Sequence, residues 1–427
     1  MTATTATQSW KRVKIKDIYL GFYDGPHATP KLASEGAVFL GIKNITEDGK
    51  LDLSEIRYIS EEEFPKWTRR VLPSPGDLIF TYEATLNRYA IIPEGFRGCL
   101  GRRLALIRPN PDKIDTKFLL YYFFGEDWRK TIATNLIFGS TVDRIPLTNF
   151  PNFEISLPPL PIQRKIAAIL SAYDRLIENN TRRIEILEEM ARSLYREWFV
   201  KFLFPGHEQV QMVDSELGLI PEGWEAAKVE DIYRTSSGGT PSRKNSDFYG
   251  GSILWIKTRE LNDGFIFETE EKITDLGLQK SSAKVFPPDT VIMAMYGATI
   301  GMLGILASPA ATNQACCALL KNNSLFSSYY AFLYLLENRE KIFSLGMGAA
   351  QQNISQQVIK ALEILKPSDE VMRKFNELAE PLFKNIKVLQ QKNDNLRKTR
   401  DLLLPRLISG EINLEEIDIG VYNAENN

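Results

Sequence analysis

Between Leu160 and Phe204 apolar residues recur at helical spacing over a longer stretch than one globular core needs. Counting in sevens puts Ile162, Ile169, Leu176, Arg183 and Met190 on one row, and Ile166, Tyr173, Asn180, Leu187 and Leu194 on the row four later, the pattern of a coiled-coil seam. The stretch from Val371 to Ile408 repeats it, with Phe375, Leu382, Leu389, Leu396 and Leu403 on one row and Ala379, Ile386, Asn393, Arg400 and Leu407 on the other. Two seams in one chain can bury each other. Asn180 and Asn393 stand on the seam rows, where a polar residue fixes register at a cost in stability; the wet centre of a bundle would also admit asparagine with no such role. Pro158, Pro159 and Pro161 precede the first seam and Pro367 the second, while Pro405 with Gly410 is expected to end it.

Elsewhere the apolar runs are short and β-rich: AVFLGI, DLIFTY and RLALI in the first half, SILWIK, TVIMAMY and QACCALL in the second. TKFLLYYFFGEDWRKTIA and SSYYAFLYLLENREKIFSL have helical period, and their aromatics (Tyr121, Tyr122, Phe123, Phe124; Tyr329, Tyr330, Phe332, Tyr334) sit at mirrored positions that predict core rather than a base-stacking platform. The uncharged stretch from Thr290 to Leu320 raises a membrane span, but Gly297, Gly301 and Gly304 punctuate it and favour a buried hairpin.

Sliding the sequence on itself by about 214 residues sets Trp10, Lys14, Asp17, Ile18 and Tyr19 on Trp224, Lys228, Asp231, Ile232 and Tyr233, and Ile42-Lys43 on Ile256-Lys257. With a shift of about 209, Gly139, Ile145, Glu154, Ile155 and Pro158 fall on Gly348, Ile354, Glu363, Ile364 and Pro367. The chain therefore reads as two copies of a globular unit followed by a long helix. The expected fold is α+β: two mixed α/β globular domains at 1–159 and 223–367, long helices at 160–204 and 368–410, a polar connector at 205–222 and a tail at 411–427. A helix over 160–204 spans on the order of 60 Å, so the second is expected to return antiparallel to it, giving a two-helix coiled coil between the domains and a pseudo-two-fold internal repeat.

At 427 residues with 44% hydrophobic and 25% charged, the chain is long enough for several cores. A net charge of −2 excludes a generally basic protein, so a nucleic-acid surface has to be a local patch. Three cysteines, Cys99, Cys316 and Cys317, make no disulfide framework and fit a reducing cytoplasm; with His27 and His207 they have no zinc-site spacing. The N-terminus has no signal-peptide pattern. No phosphate loop, dinucleotide fingerprint or nucleophile elbow occurs, the strings LPPL and FPPD fail the adenine-methyltransferase pattern, and Glu61-Glu62-Glu63 and Glu270-Glu271 read as solvated runs. No catalytic or metal-binding residue is assigned. An enzyme with a site outside these motifs and a coiled-coil interaction protein that does not bind DNA are the competing classes.

Basic, amide and hydroxyl side chains cluster as a duplex-DNA reader would need: Lys43, Arg69, Arg70, Arg88, Arg102, Arg103 and Arg144 in the first domain, and Thr240, Arg243, Lys244, Lys257, Arg259, Thr299, Gln351, Gln352 and Asn353 in the second. Arginine and lysine hold phosphates or guanine, and amides suit adenine. Lys43 and Lys257 align between the repeats, as do the glycine-containing loops at 139–144 and 348–353. Two similar readers that are not identical imply an asymmetric, bipartite target, with half-sites about 34–36 Å apart when both dock on one face of the duplex. On the first long helix Arg182, Glu185, Glu189, Arg192, Trp198 and Phe199 are expected to face a partner subunit; packing of the two aromatics on the second domain is the alternative.

LPPLPIQRKIAAIL followed by SLYREWFVKF, the terminal LRKTRDLLLPRLISGEI, and the duplicated layout resemble the specificity (S) subunits of type I restriction-modification systems over nearly the whole chain. The globular halves match more weakly, through Gly-Gly-Thr-Pro at 238–241, IKTREL at 256–261 and GATIG at 297–301; the first repeat departs, with His-Ala-Thr-Pro at 27–30 and EATLN at 83–87. The resemblance implies that each globular unit is a target recognition domain and that the helices hold two methyltransferase subunits carrying S-adenosylmethionine. It further implies restriction subunits, up to two, that use ATP and Mg, with none of this chemistry in the chain itself. A specificity subunit of a related type II (IIB-like) enzyme would read the same way.

Overall fold

The computed structural model describes residues 10–138, 142–322, 325–346 and 353–415. It divides into two compact units, Met1–Ile177 with Asn395–Asn427, and Glu178–Asp394. Each dividing line falls inside a long helix: Leu160–Tyr195, which widens into a π-helical turn at Arg196–Val200, and Asp369–Ile408.

In the first unit one sheet has the order Tyr19–Asp24, Leu104–Pro109, Leu78–Thr81, Tyr89–Ile91, all antiparallel. A second sheet places Ala37–Leu40 between Tyr58–Ile59 and the parallel strand Gly98–Leu100. Helices Thr116–Phe124 and Glu126–Asn135 cover the first sheet, and Asp115 caps the former by accepting from the Phe118 N–H. The second unit repeats this order with Tyr233–Ser237, Cys316–Lys321, Val291–Ala294 and Leu303–Leu306, and adds Gly264–Ile266 at the edge. Its other sheet sets Tyr249–Ile256 between Lys272–Ile273 and the parallel strand Ala310–Thr312, with Val285–Phe286 beyond. The repeat extends to register: Lys14 faces Glu154 and Lys11 faces Leu157 in one unit, Lys228 faces Glu363 and Glu225 faces Lys366 in the other. The uncharged 290–320 stretch is the Val291–Ala294 and Leu303–Leu306 hairpin followed by the Cys316–Lys321 strand, and among the described residues no helix is long and apolar enough to cross a membrane. The paired helical aromatics are core, Tyr122, Phe123 and Tyr330 among the fully buried side chains.

Each unit owns a segment of both long helices, and within each the segments run antiparallel. In the first, Ile162, Ile166 and Leu170 share a core with Leu407 and Ile408, and Arg400 donates to Asp174 at 2.6 Å. In the second, Asn180 Nδ2 donates to Asn393 Oδ1 at 2.9 Å, while Ile184, Ala191 and Tyr195 pack into the core that holds Phe375, Ala379 and Ile386. Both rows expected on the second helix face inward, Phe375, Leu389, Ala379, Ile386, Asn393 and Leu407 being buried. On the first helix one row is corrected. Leu176, Arg183 and Met190 are exposed; the row that faces inward is one residue over, Leu170, Ile177, Ile184, Ala191 and Trp198. Pro405, expected together with Gly410 to end the second helix, lies inside its last turn. The helix runs through Pro381 and Pro405 to Ile408; the carbonyls that lose their donors belong to the exposed residues Glu377 and Asp401, where solvent can satisfy them. Gly410, at φ +75°, adopts the left-handed conformation that stops it.

Candidate nucleic-acid interface

In the first unit, the strand Ala37–Leu40 leads into the 3-10 turn Ile42–Asn44, and its parallel neighbour ends at Leu100, just before Gly101. Asn44 locks the turn, accepting from the Gly41 N–H at 2.9 Å and donating to the Asp52 carbonyl at 3.0 Å. The Gly101 N–H donates to the Leu40 carbonyl at 2.8 Å. These strand ends open onto a cavity of about 520 Å3 lined by Thr29, Lys43, Arg57, Arg102 and Arg103. Arg57 lies over the Phe39 ring, 5.2 Å from its centroid. Among the described residues Lys43, Arg57 and Arg102 have no carboxylate partner, whereas Arg103 meets Glu83 at 3.2 Å. Arg144 pairs through its backbone with Glu83. Four expected residues lie outside this cavity lining: Arg144, Arg88, which is tied to Glu47 and the Ile45 carbonyl, Arg70, which is tied to Asp24, and Arg69, which is exposed beside it.

The second unit builds the same frame from different side chains. Trp255 and Ile256 run parallel to Ala311 and Thr312, the turn Thr258–Glu260 follows, and the Asn313 N–H donates to the Ile256 carbonyl at 2.9 Å. Glu260 accepts from the Lys257 N–H at 2.7 Å, as Asn44 does from Gly41. Ile256 therefore occupies the place of Leu40, Lys257 that of Gly41, Arg259 that of Lys43, and Gln314 that of Arg102. This corrects the expected pairing of Lys43 with Lys257: the Ile-Lys letters match, but the backbone frames are two residues apart. The Gly-Gly-Thr-Pro loop crosses the strand end closely enough that a Cβ on Gly238 would lie 2.0 Å from the Thr312 carbonyl oxygen. It delivers the Thr240 hydroxyl to the Gln314 side chain.

Here Arg243, Lys257 and Arg259 are paired with carboxylates. Arg243 rests 4.4 Å from the Tyr249 ring centroid and 5.2 Å from that of Trp255, and contacts Glu271 at 2.5 Å. Lys257 Nζ reaches Glu271 at 2.6 Å and Glu270 at 3.3 Å, and Arg259 also pairs with Glu270. Hydrogen bonds from Arg243 and Lys257 hold the Glu271 carboxyl down to about 2. The Glu270-Glu271 run, expected to be merely solvated, is thus the counter-charge of the basic cluster. Lys244 is exposed. Thr299 closes the turn Gly297–Thr299 by donating to the Tyr296 carbonyl at 2.8 Å, and Tyr296 pairs with Asn353 as Glu83 pairs with Arg144. Gln351 and Gln352 lie outside the described residues.

Along the first long helix Arg182, Glu185 and Glu189 are exposed, Arg182 pairing with Glu178 at 2.6 Å, and Arg192 is half-buried, 3.8 Å from Glu188. Trp198 and Phe199 do not face outward: they are 6% and 3% exposed. Phe199 packs 4.9 Å from Tyr330 and 4.8 Å from Phe375 between ring centroids, and Trp198 6.0 Å from Phe375. The π-helical turn narrows the angle between these neighbours so that both reach the core. Burying each ring is worth on the order of 2–6 kcal/mol before entropy.

Sequence reasoning missed Arg57 and Gln314. Arg57 lies two residues before Ile59, which the repeat aligns with Ile273, so the strand pairing carries it to the cavity. Gln314 lies two residues before the Cys316–Lys321 strand and is an amide of the type already sought in the 351–353 loop.

Residues 8–189 and 221–398 each match the family described as type I restriction modification DNA specificity domain. The specificity subunit of the type I restriction enzyme MjaIX from Methanocaldococcus jannaschii is 27% identical over 416 residues, covering 95% of this chain and 90% of that protein. The specificity subunit of the HindI enzyme from Haemophilus influenzae is 24% identical over 405 residues, covering 79% and 86%. The crystal structure of a type I restriction-modification S subunit from M. genitalium superposes with a TM-score of 0.62 at 15% identity, covering 95% of this chain and 98% of that one, a likeness of fold. With both halves of the repeat matched, the chain belongs to the family of type I restriction-modification DNA specificity subunits.

Proposed function

We propose that this chain is the non-catalytic sequence reader of a DNA-modifying complex. Each unit reads one half of a bipartite, asymmetric duplex target with unread base pairs between, and the long helices seat two adenine methyltransferase subunits. The observation that carries the reading is the shared strand-end frame that presents Lys43, Arg57 and Arg102 in one unit and Arg243, Lys257, Arg259 and Gln314 in the other. A constant frame with exchanged side chains is what two readers of different sequences require. In this account Arg182, Glu185, Glu189 and Arg192 contact the methyltransferase. S-adenosylmethionine belongs to those subunits, ATP and Mg to restriction subunits, and the assembly works in the cytoplasm.

The test is co-purification with a methyltransferase subunit, followed by titration of duplex DNA at several salt concentrations. The complex is expected to bind with an affinity that falls steeply with salt, and Lys43→Ala with Arg102→Ala to flatten that slope without loss of assembly. A chain that forms no such complex, or a complex whose DNA affinity is indifferent to salt and sequence, contradicts the reading.

A further inference from the structure

The same strand position carries opposite charge in the two units. Arg57 follows Phe39 across its sheet, the Phe39 N–H donating to the Arg57 carbonyl at 2.8 Å. By the pairing of Ala37 with Ile59 and of Ile253 with Ile273, its counterpart is Glu271, and that of Phe39 is Trp255. The exchange is compensated next door. A Cβ on Gly41 would lie 2.4 Å from the Arg57 guanidinium, whereas the matching residue, Lys257, has the side chain that meets Glu271 at 2.6 Å. A cation still lies over the aromatic ring, since Lys257 Nζ is 5.9 Å from the Trp255 centroid.

The two glutamates differ in what they have left to give. Glu271 uses both oxygens, Oε1 for Lys257 and Oε2 for Arg243. Glu270 pairs with Lys257 and Arg259 through Oε2 alone, and its side chain is 58% exposed. Its Oε1 is therefore a solvent-facing acceptor with no partner among the described residues. A carboxylate on a face that meets phosphates opposes binding, unless it accepts a hydrogen bond from a base edge. In the major groove the donor that a glutamate pairs with is the exocyclic N4 of cytosine.

Resting on the DNA-reading function proposed above, we infer that Glu270 is a specificity-determining residue of the second unit and accepts from the N4 amino group of a cytosine in its half-site. Methylation rates of the assembled complex test this on a panel of duplexes in which each base pair of that half-site is changed in turn, for the native chain, Glu270→Ala and Glu270→Gln. At one C·G position Glu270→Ala is expected to lose roughly tenfold or more of the native discrimination, with the other positions unchanged. Glu270→Gln should move the preference at that position toward adenine, the base a glutamine reads through two bonds. Unchanged preference at every position in both variants, with normal methylation of the native target, overturns the inference and leaves Glu270 as internal counter-charge. The near-isosteric Glu270→Gln decides alone if the alanine variant folds poorly. A native complex that methylates no bipartite target contradicts the parent reading instead.

Discussion

Glu271 is held between two cations, and its acid titration follows from that. Its folded value lies near 2, below the ordinary value of 4.5, so the pairing contributes stability above about 4.5 that is lost as pH falls through that value toward 2. Melting of the native chain against Glu271→Gln should therefore show a difference that is constant near neutrality and closes across this acid window; a difference independent of pH would remove Glu271 from the cluster. Trp198 makes the opposite kind of prediction. Because it fills the second unit's core, Trp198→Ala should cost about 3–5 kcal/mol in denaturant unfolding of the isolated chain. A variant as stable as the native chain that only fails to assemble would put Trp198 back at an interface. Single residues were legible to the sequence in kind but not in place. The letters Ile-Lys recur at 42–43 and 256–257, yet the strand ends that give them meaning are offset, and only backbone pairing reveals that Arg259 is the true counterpart of Lys43.

At the scale of elements, periodicity located both long helices, and misassigned one row of the first. Near its start Ile162, Ile166, Ala167 and Leu170 are all buried, so two adjacent rows look equally apolar. Farther along only the row through Ile177, Ile184 and Ala191 stays inside, and Arg183 on the other row already spoke against it. Trp198 belongs to that inner row, which is why its burial was within reach of the sequence. The Asn180–Asn393 pair lies in the seam of the second unit, Asn393 being 2% exposed. Asn393→Leu should cost about 1–3 kcal/mol, because Asn180 loses its acceptor, whereas the double change to leucine should recover most of that loss. Equal unfolding midpoints for single and double variants would contradict a coupled pair. Arg400, whose guanidinium shares Asp174 with the Tyr121 hydroxyl in the first unit, should on truncation to alanine destabilise the chain by about 1–3 kcal/mol.

At the scale of the whole molecule, the duplication was the most legible feature, since it rests on many weak matches rather than one strong motif. What the repeat could not convey is how far the two copies have diverged in charge: the first unit keeps Lys43, Arg57 and Arg102 without carboxylate partners among the described residues, while the second pairs Arg243, Lys257 and Arg259 with Glu270 and Glu271. If the helix pair sets the distance between half-sites, deleting one heptad from each long helix should shorten the unread spacer. The central claim is tested most directly by mapping methylated adenines in a genome where this chain is expressed with its methyltransferase subunit. The account predicts one asymmetric motif of two short half-sites separated by a fixed run of unread base pairs, with one half-site changing when residues of a single unit are altered. A contiguous motif, or methylation that is the same without this chain, would contradict it.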